Sequence, residues 1–436
     1  MAGQSTRWIT TARLLRRAGF GVSGVEVDAV ANQDWPVYLD AALAADLDAD
    51  PGVRQTPMPE LTAPRPPGKR ATPAARAEFT RELAAQQAEL SGWWLRRMIA
   101  VRQPLREKLT LLWHNHFATS ARKVRAPAYL AAQNQKLRTL ALGDFRTLAY
   151  TMLTDAAMLR WLDGQSNTAR AANENLAREF MELFALGHGN GYTEDDVRAG
   201  ARALTGWVIG ADGRTSMLPR RHDFTPKTLF GVTGNFDAAG FCDAVLAQPN
   251  SAQYVAGRMW QQLASDEPPS AAVLDRLISA YGTTRDLRAL TRAILTDDEF
   301  TGSRATVVTT PVEWLAGVIR SLRTPVDNHL ELIDRTLAAL GQRPFFPPDV
   351  GGWPRGQVWL STASAGTRLR VALHLANTAD LSAVESASAP NRIDAVGYLI
   401  GVGAWTDRSA RALGPLVRRP PQLVAAAVNT PEYLTS

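Results

Sequence analysis

Leu105-Arg106-Glu107-Lys108-Leu109-Thr110-Leu111-Leu112-Trp113-His114-Asn115-His116-Phe117 sets the fold class and locates the first candidate site. Leu105, Leu109, Leu112, Trp113 and His116 recur at spacings of three and four, which places them on one face of an α-helix. The same period returns along most of the chain. Helices are predicted over 7–18, 24–33, 35–46, 74–101, 126–140, 144–161 and 173–187. Others are predicted over 194–208, 237–247, 251–264, 270–281, 285–296, 311–323 and 328–340, and residues 367–428 again read as helical. No sustained alternation of strands occurs, so the predicted class is mainly α, a multi-helix globular bundle. A small β-hairpin or irregular flap is expected near 212–236, where Gly, Pro, Thr and aromatic residues break the pattern. Residues 341–366 read as a long ordered loop, because Phe345-Phe346, Trp353 and Trp359 give it an apolar content that disordered loops lack.

With 436 residues, 45% hydrophobic and 21% charged, the chain is long and apolar enough to bury a sizeable core. The expected organisation is an N-terminal helical lobe over 1–50 and a Pro-rich loop or linker over 51–73. A main helical domain over 74–436 follows, and it carries the candidate site; the whole also fits one continuous domain. The net charge is +6. Nearly all the positive charge is arginine, since the lysines are Lys69, Lys108, Lys123, Lys136 and Lys227. Basic and acidic residues alternate along the helices, and the densest basic run, Arg122-Lys123-Val124-Arg125, is short. Nucleic acid is therefore not the expected partner. The one cysteine, Cys242, excludes an intrachain disulfide and a thiolate cluster. No run of about 18 apolar residues suits a transmembrane helix. Arg16-Arg17 is followed by Val25-Glu26-Val27-Asp28 rather than by a hydrophobic signal core, so a cytoplasmic address is the default expectation, with export alongside a partner as the alternative. Oligomeric state is not legible.

Polar groups inside apolar helices mark the candidate site, because burying them is costly unless they are paired, metal-bound or catalytic. In Asn173-Glu174-Asn175-Leu176-Ala177-Arg178-Glu179-Phe180-Met181-Glu182-Leu183-Phe184, a regular helix puts Asn175, Glu179 and Glu182 on one narrow stripe with Arg178 beside it. Glu179 and Glu182 are the catalytic candidates, as a carboxylate pair that shares acid–base work or ligates a cation. The alternative is an internal ion-pair network with Arg178, Arg198 and Arg202. His114 and His116 are metal-ligand candidates. Residues two apart on a helix point about 200° apart, so both reach one ion only if the helix ends beside them. The alternative is a core histidine with one hydrogen-bond partner. His222-Asp223, with Lys227 nearby, is either a further metal or acid–base pair or a solvated turn. Asp349, Trp353 and Trp359 offer a sugar-stacking platform or a staple that holds the loop on the helices.

Familiar labels do not fit. His114-Asn115-His116 is not the dispersed HNH nuclease motif, and His-x-His here lies in a helix rather than after a barrel strand. His-Glu-x-x-His, Walker A, G-x-G-x-x-G and G-x-S-x-G do not occur.

Leu109 to Phe117 and Asn173 to Phe184 resemble signature blocks of the bacterial Domain of Unknown Function 1800 family. So do Tyr192-Thr193-Glu194-Asp195-Asp196-Val197 with Ala203-Leu204-Thr205-Gly206-Trp207, and His222-Asp223 with Lys227. Pro347-Pro348-Asp349-Val350-Gly351-Gly352-Trp353-Pro354 completes the set, and the similarity begins at Leu14-Leu15-Arg16-Arg17-Ala18-Gly19-Phe20-Gly21. The resemblance implies a mostly helical bacterial protein. Family members are often encoded beside a second uncharacterised protein with an export signal, which the resemblance implies as a partner. It supplies no catalytic residues.

The leading expectation is a cleft walled by His114, His116, Glu179, Glu182, His222 and Asp223 and covered by the 341–361 loop. Asn115, Asn175, Arg178, Arg202, Lys227, Asp349, Trp353 and Trp359 would complete its surroundings. Oxygen and imidazole ligands would suit a divalent metal, Zn²⁺, Mn²⁺ or Fe²⁺, with a hydrolase-like role. Two rivals stand beside it. One is a non-catalytic assembly or binding protein with structural polar residues; the other is a metal-free carboxylate-pair glycosidase using Glu182 and Asp349.

Overall fold

The computed structural model describes residues 3–64, 66–302 and 306–435, so Arg65 of the Pro-rich stretch lies outside it. The fold is mainly α, as the periodicity predicts, with two small antiparallel hairpins as its only sheets among the described residues. Helix starts follow capping chemistry. Ser23 with Glu26 and Thr193 with Asp196 close reciprocal capping boxes, which satisfy backbone N–H groups that have no partner inside a first turn.

Two large apolar cores lie on either side of the Leu105–His116 helix. Leu105, Leu109, Leu112 and Trp113 face the first, together with Phe145, Phe180, Phe184 and Phe241. Leu111 faces the second, with Trp94, Trp314 and Phe345. Every residue of this helix except Arg106 is buried. On a helix enclosed on both sides, each polar group is costly unless a partner meets it; the Nδ1 atoms of His114 and His116 have none among the described residues.

The predicted 144–161 helix is two helices, Phe145–Leu153 and Ala156–Trp161. Asp155 divides them by accepting hydrogen bonds from the Ala157 and Met158 amides, which makes it an N-cap. The 173–187 helix also differs from expectation. Only Asn175–Glu179 is α-helical, and Phe180–Ala185 is a π-helix. Leu186 N–H accordingly reaches back five residues to the Met181 carbonyl at 2.9 Å.

The hairpin region begins earlier than predicted. Trp207–Ile209 pairs with Thr215–Met217, and Lys227–Leu229 pairs with Val232–Gly234. The second hairpin turns through Phe230 and Gly231, both at positive φ, the two-residue geometry that matches strand twist. Asp196 Oδ1 accepts from Phe230 N–H at 2.6 Å while Oδ2 caps Thr193. One carboxylate thus fixes both a helix start and a hairpin turn.

The aromatic loop ends at Ser361 rather than 366, since a helix over Thr362–Thr378 follows it. Arginines near the N-terminus collect carbonyls at helix ends. Arg13 donates to Phe300, Thr301 and Gly302, Arg16 to Ile400 and Gly401, and Arg17 to Leu263 and Ala264. Cations at helix C-termini are favourable because the last carbonyls lack intrahelical partners. No helix among the described residues is long and apolar enough to cross a membrane.

Candidate functional site

His114, Asn115 and His116 occupy the last turn of the Leu105–His116 helix, and each reaches a different segment. His114 Nε2 accepts from Phe345 N–H at 3.2 Å. Asn115 Oδ1 accepts from Trp353 N–H at 2.7 Å, and its amide donates to Gln262 Oε1 at 3.3 Å. His116 Nε2 donates to the Phe184 carbonyl at 2.9 Å. The 200° divergence of the two imidazoles is realised as two opposite attachments. His114 stacks among Trp94, Phe345 and Trp353, with ring centroids 5.0–5.5 Å away. His116 lies among Trp113, Phe117, Phe145 and Phe184 of the other core.

Burial pushes the His114 pKa down to about 3. Burial and the nearby Arg258 charge do the same to His116, against the smaller opposing pull of its bond to Phe184. Both rings are neutral at physiological pH. Their tautomers follow from their partners: His116 carries its proton on Nε2 and His114 on Nδ1.

The π-helix presents the carbonyls that receive these attachments. Phe184 accepts from His116, and Leu183 accepts from Tyr254 Oη at 2.8 Å. Glu179 and Glu182 lie where the α-helix gives way to the π-helix. Glu182 is 15% exposed in its side chain and contacts His188 Nδ1 at 3.1 Å and Arg178 at 3.7 Å. Arg178 itself is committed to Glu174 at 2.9 Å and to both oxygens of Glu194 at 2.8 Å. Glu179 is half-buried and makes no hydrogen bond among the described residues. Burial raises its pKa first, and the charges of Glu182 and Asp349 add to the rise while Arg178 opposes it. Asn175 anchors the helix start. Its N–H donates to Asn173 Oδ1 at 3.0 Å, and its amide reaches the Leu162 carbonyl at 3.4 Å.

Asp349 belongs to the loop that covers this end of the helix. Its Oδ1 accepts from Gly351 N–H at 2.8 Å, and Val350 packs on the first core. Trp353 and Trp359 are each only 3% exposed. Their ring faces are thus closed to a sugar, and both indoles staple the loop, clustering with Val308. Arg368 fixes the Trp359 carbonyl with two hydrogen bonds of 2.6 and 2.9 Å.

His222, Asp223, Lys227 and Arg202 form a separate group beneath the hairpins. His222 Nδ1 lies 2.9 Å from the Thr205 carbonyl. Arg202 Nε donates to Asp223 at 2.7 Å and Lys227 Nζ donates to the Thr225 carbonyl at 3.0 Å. Although burial alone would raise it, the Asp223 pKa is held well below the carboxylate range by Arg202 and Thr225. This group shares no hydrogen bond, ion pair or ring contact with the 114–116 turn among the described residues.

The structure therefore joins His114, Asn115 and Trp353 at one point, His116 and the π-helix at a second, and Glu179, Glu182 and Asp349 at a third. It does not gather the histidines. Among the described residues, no group of three or more His, Cys, Asp or Glu side chains is placed to hold a metal ion.

Sequence reasoning missed a buried ion-pair network on the same helix. Arg138 makes a bidentate pair with Glu107 at 2.6 and 2.8 Å, and Trp94 Nε1 adds a third bond at 2.9 Å. The neighbouring Lys108 pairs with Glu313. An acid and a base at adjacent helix positions, inside an apolar stripe, were the available signal.

The sequence profile described as "Protein of unknown function (DUF1800)" matches residues 13–435. No curated protein and no solved structure matches the chain. A match over nearly the whole length, across the turn at 114–116, the π-helical segment and the Trp353 loop alike, shows that this chain belongs to the DUF1800 family.

Proposed function

We propose that this protein is a non-catalytic binding or assembly protein whose signature polar residues hold its architecture together. The observation that carries this reading is the use made of His114, Asn115 and His116. Their side chains bond to backbone groups of three distant segments, and both imidazoles are sealed among aromatic rings. A catalytic or ligating imidazole needs a nitrogen directed at substrate or metal. The stapled loop also supplies a docking surface, since Val358 (63% exposed) and Leu360 (39%) flank the buried Trp359. Apolar side chains held outward by a buried anchor suit another folded protein. The partner that the family resemblance implies, encoded nearby, is the first to test.

Co-expression of the two proteins followed by sedimentation analysis is the direct experiment. A stoichiometric complex is expected, weakened by Val358→Asp with Leu360→Asp. Stoichiometric Zn, Mn or Fe in the purified protein, lost on His114→Gln, would overturn the reading in favour of a metal site.

Glu179 favours a second reading. A carboxyl raised by burial and flanked by two other carboxylates suits general acid work, as in a metal-free glycosidase with Glu182 or Asp349 as its counterpart. Hydrolysis of a glycoside panel, abolished by Glu179→Gln with the fold retained, would establish it.

A further inference from the structure

Two adjoining small cavities lie beside the Leu105–His116 helix. Lys108, Gln262, Val307 and Glu313 wall both of them. The first, beside Asn115, has about 40 Å³ of room and is lined on one side by Pro354, Arg355 and Gly356. The second has about 30 Å³ and reaches Arg16 and Arg17. Four cationic side chains thus face two carboxylates, Asp266 and Glu313.

The carboxylates are largely used. Glu313 accepts from Lys108 Nζ and from Thr310 N–H, and Asp266 accepts from Val308 N–H at 2.8 Å. Donors remain in excess. Trp353 N–H fixes Asn115 Oδ1 as an acceptor, so the Asn115 amide must donate, and Gln262 must present its oxygen to it. That orientation leaves Gln262 Nε2 as a buried donor with no protein acceptor. Arg355 Nη1 is buried in the same condition, and its guanidinium makes no hydrogen bond or ion pair with a described residue. Buried donors are normally satisfied, and an excess of them under a net positive field favours an acceptor that carries negative charge. Burial and the repulsion of Arg258 lower the Arg355 pKa, and the opposing charge of Asp266 does not cancel them.

We propose that this cavity is an oxyanion-binding site, in which Gln262 Nε2 and Arg355 Nη1 hold a carboxylate- or phosphate-sized group with Lys108 as the neighbouring charge. The room excludes a nucleotide or a sugar ring. The site is independent of the docking surface proposed above, because it needs no partner protein. An anion bound here would bridge the helix ending at Leu263 to the Trp353–Arg355 segment, both already tied to Asn115.

The test is calorimetric titration and thermal unfolding of the full chain with sodium phosphate and, separately, sodium acetate, against sodium chloride at equal ionic strength. One-to-one saturable binding of phosphate or acetate, with a raised melting temperature, is expected, and the tighter of the two identifies the group. Gln262→Glu keeps the oxygen that Asn115 needs and replaces the free donor with a carboxylate. It should weaken binding at least tenfold, with circular dichroism unchanged and the anion-free melting temperature equal or higher. Arg355→Met should weaken binding similarly. Failure of both anions to stabilise beyond chloride would overturn the proposal, because the cavity would then hold water only. Binding retained within twofold in both variants would overturn it too, since the anion would then sit elsewhere.

Discussion

Acidification from pH 7.5 to 4.5 should destabilise this protein chiefly through His114 and His116, before most carboxylates titrate. In the unfolded chain each imidazole takes up a proton near pH 6.5. In the folded protein both stay neutral until about pH 3. Their folded pKa values are depressed, so below 6.5 the unfolded state binds two protons that the folded state does not. Their contribution is therefore fully present above about 6.5 and is lost as the pH falls toward 3. Each ring costs about 1.4 kcal/mol per pH unit well below 6.5. Two rings over the two units down to pH 4.5 cost about 5 kcal/mol, comparable with the lower end of typical domain stability. The assay is urea and thermal unfolding at pH 7.5, 6.5, 5.5 and 4.5, comparing the wild type with the double variant His114→Gln, His116→Gln. Glutamine can accept from Phe345 N–H and donate to the Phe184 carbonyl without titrating. The variant should be the less stable protein at pH 7.5, and its stability should fall much less steeply with acid. His329, whose pKa is also lowered by burial and by His374, is common to both proteins and cancels. Parallel pH profiles, or an NMR titration of either ring near pH 6.5, would refute the reasoning.

Three further outcomes follow from particular contacts. Gly352→Ala should cost about 2–4 kcal/mol by thermal unfolding, because the residue sits at φ +87° and a Cβ would lie 2.4 Å from Asn115 Oδ1 and 2.5 Å from its carbonyl. A loss under 1 kcal/mol would mean that the Asn115 contact yields easily. Glu107→Ala should cost about 3–5 kcal/mol by stranding Arg138, whereas Glu107→Met with Arg138→Met should recover most of that loss; equal losses would locate the contribution elsewhere. Glu179→Gln should leave stability at pH 7.5 unchanged or higher. A carboxyl whose folded pKa is raised contributes stability at low pH that disappears as the pH rises through its folded value, so any gain should shrink as the pH falls through that value and be gone below about pH 4.5. A variant clearly less stable at pH 7.5 would show that Glu179 is held by an attractive partner.

The helical class and many of its boundaries were legible because spacing at three and four residues is a local signal. Leu105, Leu109, Leu112 and Trp113 face the first core as their period requires. Thr193 and Asp196 likewise marked a helix start from four residues of sequence. What sequence could not show was mostly non-local. Phe180–Ala185 has the composition of an ordinary α-helix, and its widening answers to bonds from His116 and Tyr254. The stripe of Asn175, Glu179 and Glu182 was drawn on α-helical geometry that stops at Glu179. Lys108, Gln262, Glu313 and Arg355 each read as an ordinary polar position, and only packing assembles them around one cavity. His114 and His116 stand out in the sequence as imidazoles in an apolar helix, yet nothing local tells which groups they will face.

The turn at His114–His116 also bears on the order in which the chain becomes native. Its side-chain partners, Phe184, Gln262, Phe345 and Trp353, lie 68, 147, 231 and 238 residues further along. During synthesis at about 5–20 residues per second, this apolar helix emerges roughly ten to fifty seconds before Trp353 can meet Asn115. Contacts of such separation form late and slowly. A nascent chain stopped near residue 340 would hold the helix with only its Phe184 and Gln262 attachments available, which makes it a client for chaperones. Completion of the Trp353 segment would then be the event that releases it.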